Sequence, residues 1–492
     1  MKLGLRDIHI RDRGRTLVRT REFGIERNAV TFLFGESGIG KSMLSRAVYG
    51  LLDPSTLEIE SSAGDYARHL ATPVVRDLIG GGFFVFQEPS SHLNSLMTLS
   101  EQLNEGSLGA AGNQDQVLGE LWGAHRSVEV QGILDLFPKP HRPSGGEKQR
   151  LLLAMAFKKL ALYRGGPGIF VFDEPTGSLD DNFRNVFLKM LFERFAAIPF
   201  TALIITHDYS IISEVMQSHP RLLQSVAFRE LYRMPSGEVA LRDFSPDRYL
   251  GWLEKIRGNT LQRGGDVVLK LKPRLSIFGR NLEIYRDAGG GAPAELTIRR
   301  GEIVYLKAPS GTGKTTVAKI IMGLFRADQA NVNLAGMELG PGTPERTWEK
   351  KVWGRKAGMV FQHADESLNL EASVAETFKG LPLASLSTRS LKAALKDLFE
   401  EEITSAFLRK KVGRLSGGQK QRLNLLRTLI LAPPLVILDE PLNGLDFESI
   451  KKVLSMLERM AAKGCGFLMI SHNEEIFESY VDSDNIYHLK QR

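Results

Sequence analysis

Cysteine is almost absent from this sequence: Cys465 is the only one in 492 residues. That excludes a disulfide framework, a cysteine-held iron–sulfur cluster and a cysteine-rich zinc module, and it leads us to expect a reducing, cytoplasmic setting. Long apolar runs are missing too. No stretch of about 18 apolar residues occurs, so no segment is expected to span a membrane alone. If the protein serves a membrane, another chain does the spanning. Met1 to Arg15 is charged and has no apolar h-region, so no signal peptide is expected. Sustained heptads are absent, which argues against a long coiled-coil insertion. Charge excess is small: +7 over the whole length permits an anionic partner without demanding one. The remaining composition, 42% hydrophobic and 25% charged, is that of a soluble globular chain long enough for about three domains.

What is present centres on Gly35-Glu36-Ser37-Gly38-Ile39-Gly40-Lys41-Ser42, which fits the phosphate-loop pattern Gly-x4-Gly-Lys-Ser/Thr. The apolar run Val30 to Phe34 reads as a buried strand leading in, and Met43 to Leu52 as a helix leading out. Glycines without Cβ let the backbone curl and aim successive N–H groups at phosphate oxygens, and the helix start adds positive dipole. Lys41 can then reach the β- and γ-phosphates, and Ser42 can ligate Mg2+. Upstream, Arg6, Arg11, Arg13, Arg15, Arg19, Arg21 and Arg27 alternate with Ile8, Ile10, Leu17 and Val18. That alternation predicts the solvated face of short antiparallel strands rather than a nucleic-acid patch.

The second half repeats the first. The phosphate loop recurs as Ala308-Pro309-Ser310-Gly311-Thr312-Gly313-Lys314-Thr315. Gln87 and Gln362 follow apolar strands. Ser144-Gly145-Gly146 and Ser416-Gly417-Gly418 each open a helix. Asp173-Glu174 and Asp439-Glu440 end apolar strands, as do His207 and His472. The offset is 273 at the lysines (314 − 41) and 265 at the histidines (472 − 207), so the order is kept and the spacing nearly constant. Five features in one order mean a duplication. The drop in offset locates a small insertion in the first copy near Tyr163–Gly168, read as a surface loop. Domains are expected at 1–257 and 269–492, joined by a flexible linker at 258–268, with Val226 to Lys255 as an extra segment capping the first copy.

Strands alternating with helices, with motif residues at strand C-terminal ends, predict an open parallel α/β sheet that binds its ligand at that edge. There the Asp can hold Mg2+, the neighbouring Glu can orient or deprotonate a water, and the His can contact a γ-phosphate. Phosphoryl transfer needs little else.

Together these motifs resemble two ATP-binding cassette (ABC) domains fused in tandem, over nearly the whole chain except residues 226–268. The resemblance implies two P-loop NTPase domains, each a RecA-like parallel-sheet core with a helical subdomain and a small antiparallel β subdomain. It implies Walker A loops at Gly35–Ser42 and Ala308–Thr315, with Gln87 and Gln362 as Q-loop residues that also meet the metal alongside Ser42, Thr315, Asp173 and Asp439. It implies signature motifs at Ser144-Gly145-Gly146 and Ser416-Gly417-Gly418, catalytic Glu174 and Glu440, switch histidines His207 and His472, and D-loops at Ser178-Leu179-Asp180 and Gly444-Leu445-Asp446. Tyr285 matches the family's adenine-stacking aromatic, and the first copy has no aromatic there. ATP and Mg2+ are the implied cofactors. In the family two cassettes pack head to tail, so Lys41 would share an ATP with Ser416, and Lys314 with Ser144. Three departures stand out: Ala308 replaces the first Walker A glycine, and Pro143 and Glu147 replace the usual Leu and Gln.

The stretch Gln87-Glu88-Pro89-Ser90-Ser91-His92-Leu93-Asn94 resembles cassettes of the oligopeptide/nickel importer group, although the proline that normally follows the Asn is missing. The resemblance implies an ATPase that energises a membrane importer from the cytoplasmic face of the cell membrane. Its expected partners are permease subunits and a substrate-binding protein, and no nucleic acid is expected. The alternative is a soluble tandem ABC ATPase acting on ribosomes or nucleic acid.

Overall fold

The computed structural model describes residues 2–62, 80–123, 127–134, 143–177, 181–234, 236–257, 265–381, 386–399 and 402–492. It divides into two compact units, Met1–Tyr249 and Leu250–Arg492.

In the first unit a six-stranded sheet runs in the order Phe83–Val85, Ile169–Asp173, Thr201–Ile205, Val30–Gly35, Val226–Arg233, Val239–Asp243. Neighbours among the first five strands pair in parallel, and the last pair is antiparallel. Val30–Gly35, Ile169–Asp173 and Thr201–Ile205 are buried at every residue, as parallel strands covered on both faces must be. Aromatic side chains fill one side: Phe34 stacks on Tyr209 at 4.6 Å between centroids, and Phe32 on Phe228 at 5.4 Å.

A second, three-stranded antiparallel sheet joins Arg15–Glu26, Lys2–Asp12 and Glu58–Glu60. Ile8, Ile10, Val18, Phe23 and Ile25 point inward, while Arg6, Arg13, Arg15, Arg19 and Arg21 stay exposed. Arg11 pairs with Glu58 and Glu60, and Arg19 and Arg21 with Glu238. The arginine run is thus the solvated face that its alternation predicts.

One expectation is corrected here. Val226 to Lys255 is not an appended cap. Val226–Arg233 lies inside the main sheet, directly beside the strand that feeds the phosphate loop. Glu230 on this strand is buried because Arg242 and Tyr209 satisfy it, so its charge does not mark an exposed edge.

The second unit has a seven-stranded sheet: Arg274–Ile277, Arg280–Tyr285, Ile486–Gln491, Ile303–Lys307, Gly466–Ile470, Leu435–Asp439, Ala357–Val360. The last five are parallel and the first two join antiparallel. Where the first unit ends this side with the antiparallel strand of its C-terminal hairpin, the second ends it with a hairpin from its own N-terminal part, Arg274–Ile277 and Arg280–Tyr285. A four-stranded antiparallel sheet, Leu296–Arg299, Val267–Leu271, Val332–Leu334 and Met337–Leu339, packs beside it. Of the expected linker, residues 258–264 lie outside the described residues, and Val267 already begins a strand. Cys465 is buried, donates its thiol to the Pro433 carbonyl at 3.1 Å, and is pushed up to about 12 by burial.

Candidate active site

Each phosphate loop sits where the sequence places it, between a buried strand and a helix: Lys41–Tyr49 in the first unit and Lys314–Ile321 in the second. Gly40 (φ 116°) and Gly313 (φ 110°) occupy left-handed backbone immediately before the helix. A Cβ on Gly40 would also meet the Val18 side chain at 2.7 Å, so only glycine fits. Gly35 has φ 141°, whereas Ala308 does not adopt a positive φ. The alanine is therefore compatible with the second loop. Lys41 and Lys314 are buried, and each ammonium donates back across its own loop. Lys41 reaches the carbonyls of Gly35 (2.6 Å) and Glu36 (3.2 Å), and Lys314 those of Ala308 and Pro309.

The strand-end aspartates meet the loop hydroxyls. Ser42 Oγ donates to Asp173 Oδ1 at 3.0 Å, and Thr315 Oγ1 to Asp439 Oδ1 at 3.1 Å. Burial pushes Asp173 up to about 6 against the opposing Ser42 hydrogen bond, and it raises Asp439 in the same way. The other oxygen of Asp173, Oδ2, is buried without a hydrogen-bond partner. A hydroxyl and a carboxylate in contact, with a spare buried carboxylate oxygen, form a hard-oxygen donor set that suits Mg2+.

Glu174 (φ 50°) and Glu440 (φ 51°) both adopt left-handed backbone, which is rare for glutamate. The N–H of Glu174 bonds the Ile205 carbonyl (2.9 Å) and that of Glu440 the Ile470 carbonyl (2.8 Å). The parallel ladder thus runs one residue past the aspartate before the chain turns. Such backbone costs of order 1–3 kcal/mol and persists where the surroundings fix it, commonly at functional sites.

The two glutamates are held differently. Glu174 Oε1 lies 2.9 Å from His207 Nδ1. Burial alone would lower the His207 pKa, but the charge and hydrogen bond of Glu174 outweigh it and raise it. Glu440 Oε2 accepts from Ser471 Oγ (2.9 Å) and the His472 N–H (3.1 Å), and His472 Nε2 stands 3.5 Å from Oε1. Burial pushes Glu440 up to about 7 despite those donors. Ser471 is a site residue that motif reading misses. Comparing the copies could have found it, since both histidines follow a hydroxyl residue, Thr206 or Ser471.

In the second unit Lys314, Thr315, Gln362, Glu440 and His472 line one cavity of about 220 Å³ with the phosphate loop. Gln87, by contrast, is exposed beyond the end of its strand and makes no hydrogen bond to a described residue.

Ser144 and Ser416 are helix N-caps, each in a reciprocal capping box. Ser144 Oγ accepts from the Glu147 N–H (3.3 Å) while Glu147 accepts from the Ser144 N–H (2.6 Å), and Ser416 and Gln419 do the same at 3.1 and 3.0 Å. Glu147 is thus a structural equivalent of Gln419 that adds a negative charge. Gly145-Gly146 and Gly417-Gly418 follow as the first helical residues, whose N–H groups have no intrahelical partner.

Tyr285 is half-exposed at the end of its strand, donates its hydroxyl to Glu283, and lies under Lys490 at 5.4 Å. Strand alternation puts it on the face opposite Leu282, the residue nearest Gly313. Asp446 caps the helix Phe447–Ala462 through the Ser449 N–H at 2.7 Å, next to Gly444 and Leu445. The matching Ser178-Leu179-Asp180 lies outside the described residues.

A family model described as ABC transporter matches residues 18–177 and again residues 292–443. The chain is 28% identical over 488 residues to an uncharacterized ABC transporter ATP-binding protein, YejF, of Escherichia coli K12, covering 93% of this chain and 88% of that one. It is 25% identical over 494 residues to the peptidoglycan transport ATP-binding protein YejF of Agrobacterium fabrum, covering 93% and 85%. Among solved structures, the archaeal ribosome recycling factor aABCE1, in complex with the ribosomal stalk protein aP1, resembles it with a TM-score of 0.63. That match has 18% identity and covers 98% and 89% of the two chains, a likeness of fold.

Proposed function

Because this chain belongs to the ABC transporter family, as a tandem ATP-binding ATPase, we propose that it is the energising subunit of a membrane importer for peptide-like substrates. The observation that supports this reading most is the duplicated set in both units: a Lys opening the helix after the phosphate loop, and Asp, Glu and His at the ends of corresponding strands. The relatives named for ABC transport, and the Gln87-Glu88-Pro89 stretch, favour transport over other mechanical work.

In this reading residues 1–257 and 269–492 are the two cassettes and 258–268 the linker between them. Each loop cradles phosphates with its N–H groups, and Lys41 or Lys314 turns from its own carbonyls to the phosphate oxygens. Ser42 with Asp173, and Thr315 with Asp439, would hold Mg2+, which would supply neutralisation of the phosphate charge. Glu174 and Glu440 take the proton of the attacking water. His207 and His472 orient those carboxylates and donate to the γ-phosphate, and Gln87 and Gln362 complete the approach to metal and water. Ser144 and Ser416, with their glycine N–H groups, meet the γ-phosphate of the ATP bound to the other cassette. Pairing is intramolecular, which raises the effective concentration of each half for the other.

No helix among the described residues is long and apolar enough to cross a membrane. The proposed permease subunits therefore supply the span, with a substrate-binding protein for capture, and this chain sits peripherally on the cytoplasmic face. They would dock beside Gln87 and Gln362. Affinity purification of the tagged chain from detergent-solubilised membranes, with mass spectrometry of bound proteins, tests this. Polytopic membrane proteins in fixed ratio are expected. Recovery of ribosomes or nucleic acid with a soluble chain would overturn the transport reading.

A further inference from the structure

Between each Q-loop glutamine and each signature helix the structure shows a set of contacts that none of the motifs contains. Eleven residues after the glutamine, both units carry a reciprocal pair of hydrogen bonds between a hydroxyl residue and a glutamate, which caps the helix Leu99–Leu103 in the first unit and leads into the short turn Glu376–Phe378 in the second. In the first, the Thr98 and Glu101 N–H groups bond each other's side chains at 2.7 and 3.1 Å. In the second, Ser373 and Glu376 do so at 2.9 and 3.3 Å. Three residues after the glutamine, the segment is tied to the signature helix. Lys148 Nζ donates to Ser90 Oγ at 3.0 Å, and Lys420 Nζ pairs with Asp365 Oδ1 at 2.8 Å. Both lysines stand four residues after the signature serine.

The far end of the segment is tied as well, by different residues. In the second unit Arg427, eleven residues after Ser416, donates Nε to the Thr377 carbonyl at 3.0 Å. The first unit has Met155 at that position. One helical turn later, on the same face, stands Lys158, where the second unit has Ile430. Lys158 is fully buried, and its ammonium donates to the Leu103 carbonyl (2.6 Å), Asn104 Oδ1 (3.1 Å) and Gln114 Oε1 (2.6 Å). All three acceptors are neutral. A buried ammonium without a carboxylate is costly and is kept only where its hydrogen bonds are well made.

We infer that Lys158 and Arg427 are positioning residues for ATP turnover: each locks the segment that begins at Gln87 or Gln362 to the signature helix. The glutamine and the signature serine of one unit then move as a single body when nucleotide binds. The inference rests on the reading that both motifs serve ATP.

The test uses the full chain and steady-state ATP hydrolysis. Lys158→Met is expected to lower kcat about tenfold while KM for ATP stays within about twofold. Adding Met155→Arg, which rebuilds the second unit's link in the first, should restore kcat to within about threefold. An unchanged kcat in Lys158→Met, or a folded double variant that is not rescued, would overturn the inference. Hydrogen exchange of the unmutated chain decides the matter if Lys158→Met does not fold. With Mg2+ and a non-hydrolysable ATP analogue, amides of 99–103 and 145–162 should change protection together, and independent changes would sink the idea. Failure of the functional reading looks different: the unmutated chain itself would then lack ATPase activity.

Discussion

His207 meets its glutamate through Nδ1 at 2.9 Å, whereas His472 faces its own through Nε2 at 3.5 Å, with Ser471 and a backbone N–H filling the difference. Two copies of one motif have therefore settled on two ways of holding the same carboxylate. In the first unit the imidazole holds it, so the proposed base and the proposed switch histidine are in direct contact. In the second the carboxylate is held mainly by neutral donors, and burial pushes it up to about 7.

The first consequence concerns turnover. Removing a positioned general base costs on the order of 10²–10⁴ in rate. Glu174→Gln with Glu440→Gln should retain ATP binding and lose at least about a hundredfold in kcat. Phosphate release measured on the double variant checks this, and a parental rate would show that neither residue is the base.

A second prediction concerns pH and rate. With Glu174→Gln in place, the remaining turnover is expected to depend on Glu440, whose carboxyl burial pushes up to about 7. A base works deprotonated, so log kcat/KM should fall by about one per pH unit below 7 and level off above it. A flat profile between about pH 5.5 and 8 would contradict the assignment.

Stability should follow the opposite course. Glu440 binds its proton more tightly in the folded chain than at its ordinary value of 4.5. Its contribution is therefore fully present below about 4.5 and is lost as pH rises through about 7. At pH 8 the buried carboxylate costs the second unit up to about 3 kcal/mol. Glu440→Gln should stabilise that unit by a similar amount at pH 8 and by almost nothing near pH 4.5, read from unfolding curves at the two values. This is the cost an active site bears for function.

Glu147 offers a fourth test. Its carboxylate closes a capping box that Gln419 closes equally well as an amide. Glu147→Gln should leave unfolding within about 0.5 kcal/mol of the parent. It also removes a negative charge beside the N–H groups proposed to meet a γ-phosphate. A gain of about 1 kcal/mol, roughly fivefold in KM for ATP, is expected at low salt and should shrink as salt is raised. An unchanged KM would place the signature helix of the first unit away from the nucleotide.

Much of this site was legible because its chemistry is written in short, ordered motifs at the ends of apolar runs. The apolar run Val30 to Phe34 and the runs that end in Asp173 and Asp439 read as buried strands, and they form the buried parallel strands Val30–Gly35, Ile169–Asp173 and Leu435–Asp439. Val226–Arg233 did not, because Arg229, Glu230 and Arg233 make it look like a surface strand, and only the partners of Glu230 make its burial possible. The left-handed backbone at Glu174 and Glu440 has no signature either. It coincides with a hydrogen bond to the neighbouring strand, which is a tertiary fact. Lys158 was silent for a similar reason: its meaning depends on carbonyl and amide oxygens 44 to 55 positions away.

The buried thiol of Cys465 has a practical corollary. It is the sole sulfhydryl of the chain, with its sulfur turned to a backbone carbonyl and its ionisation suppressed, so it is a poor nucleophile. Maleimide dyes will therefore pass it by in the native protein. Leu96→Cys and Phe278→Cys, at positions 80% and 77% exposed, would create two selectively reactive handles, one in each unit, without first stripping native cysteines. Energy transfer between dyes on them could then test, one molecule at a time, whether the distance between the two units responds to ATP at all.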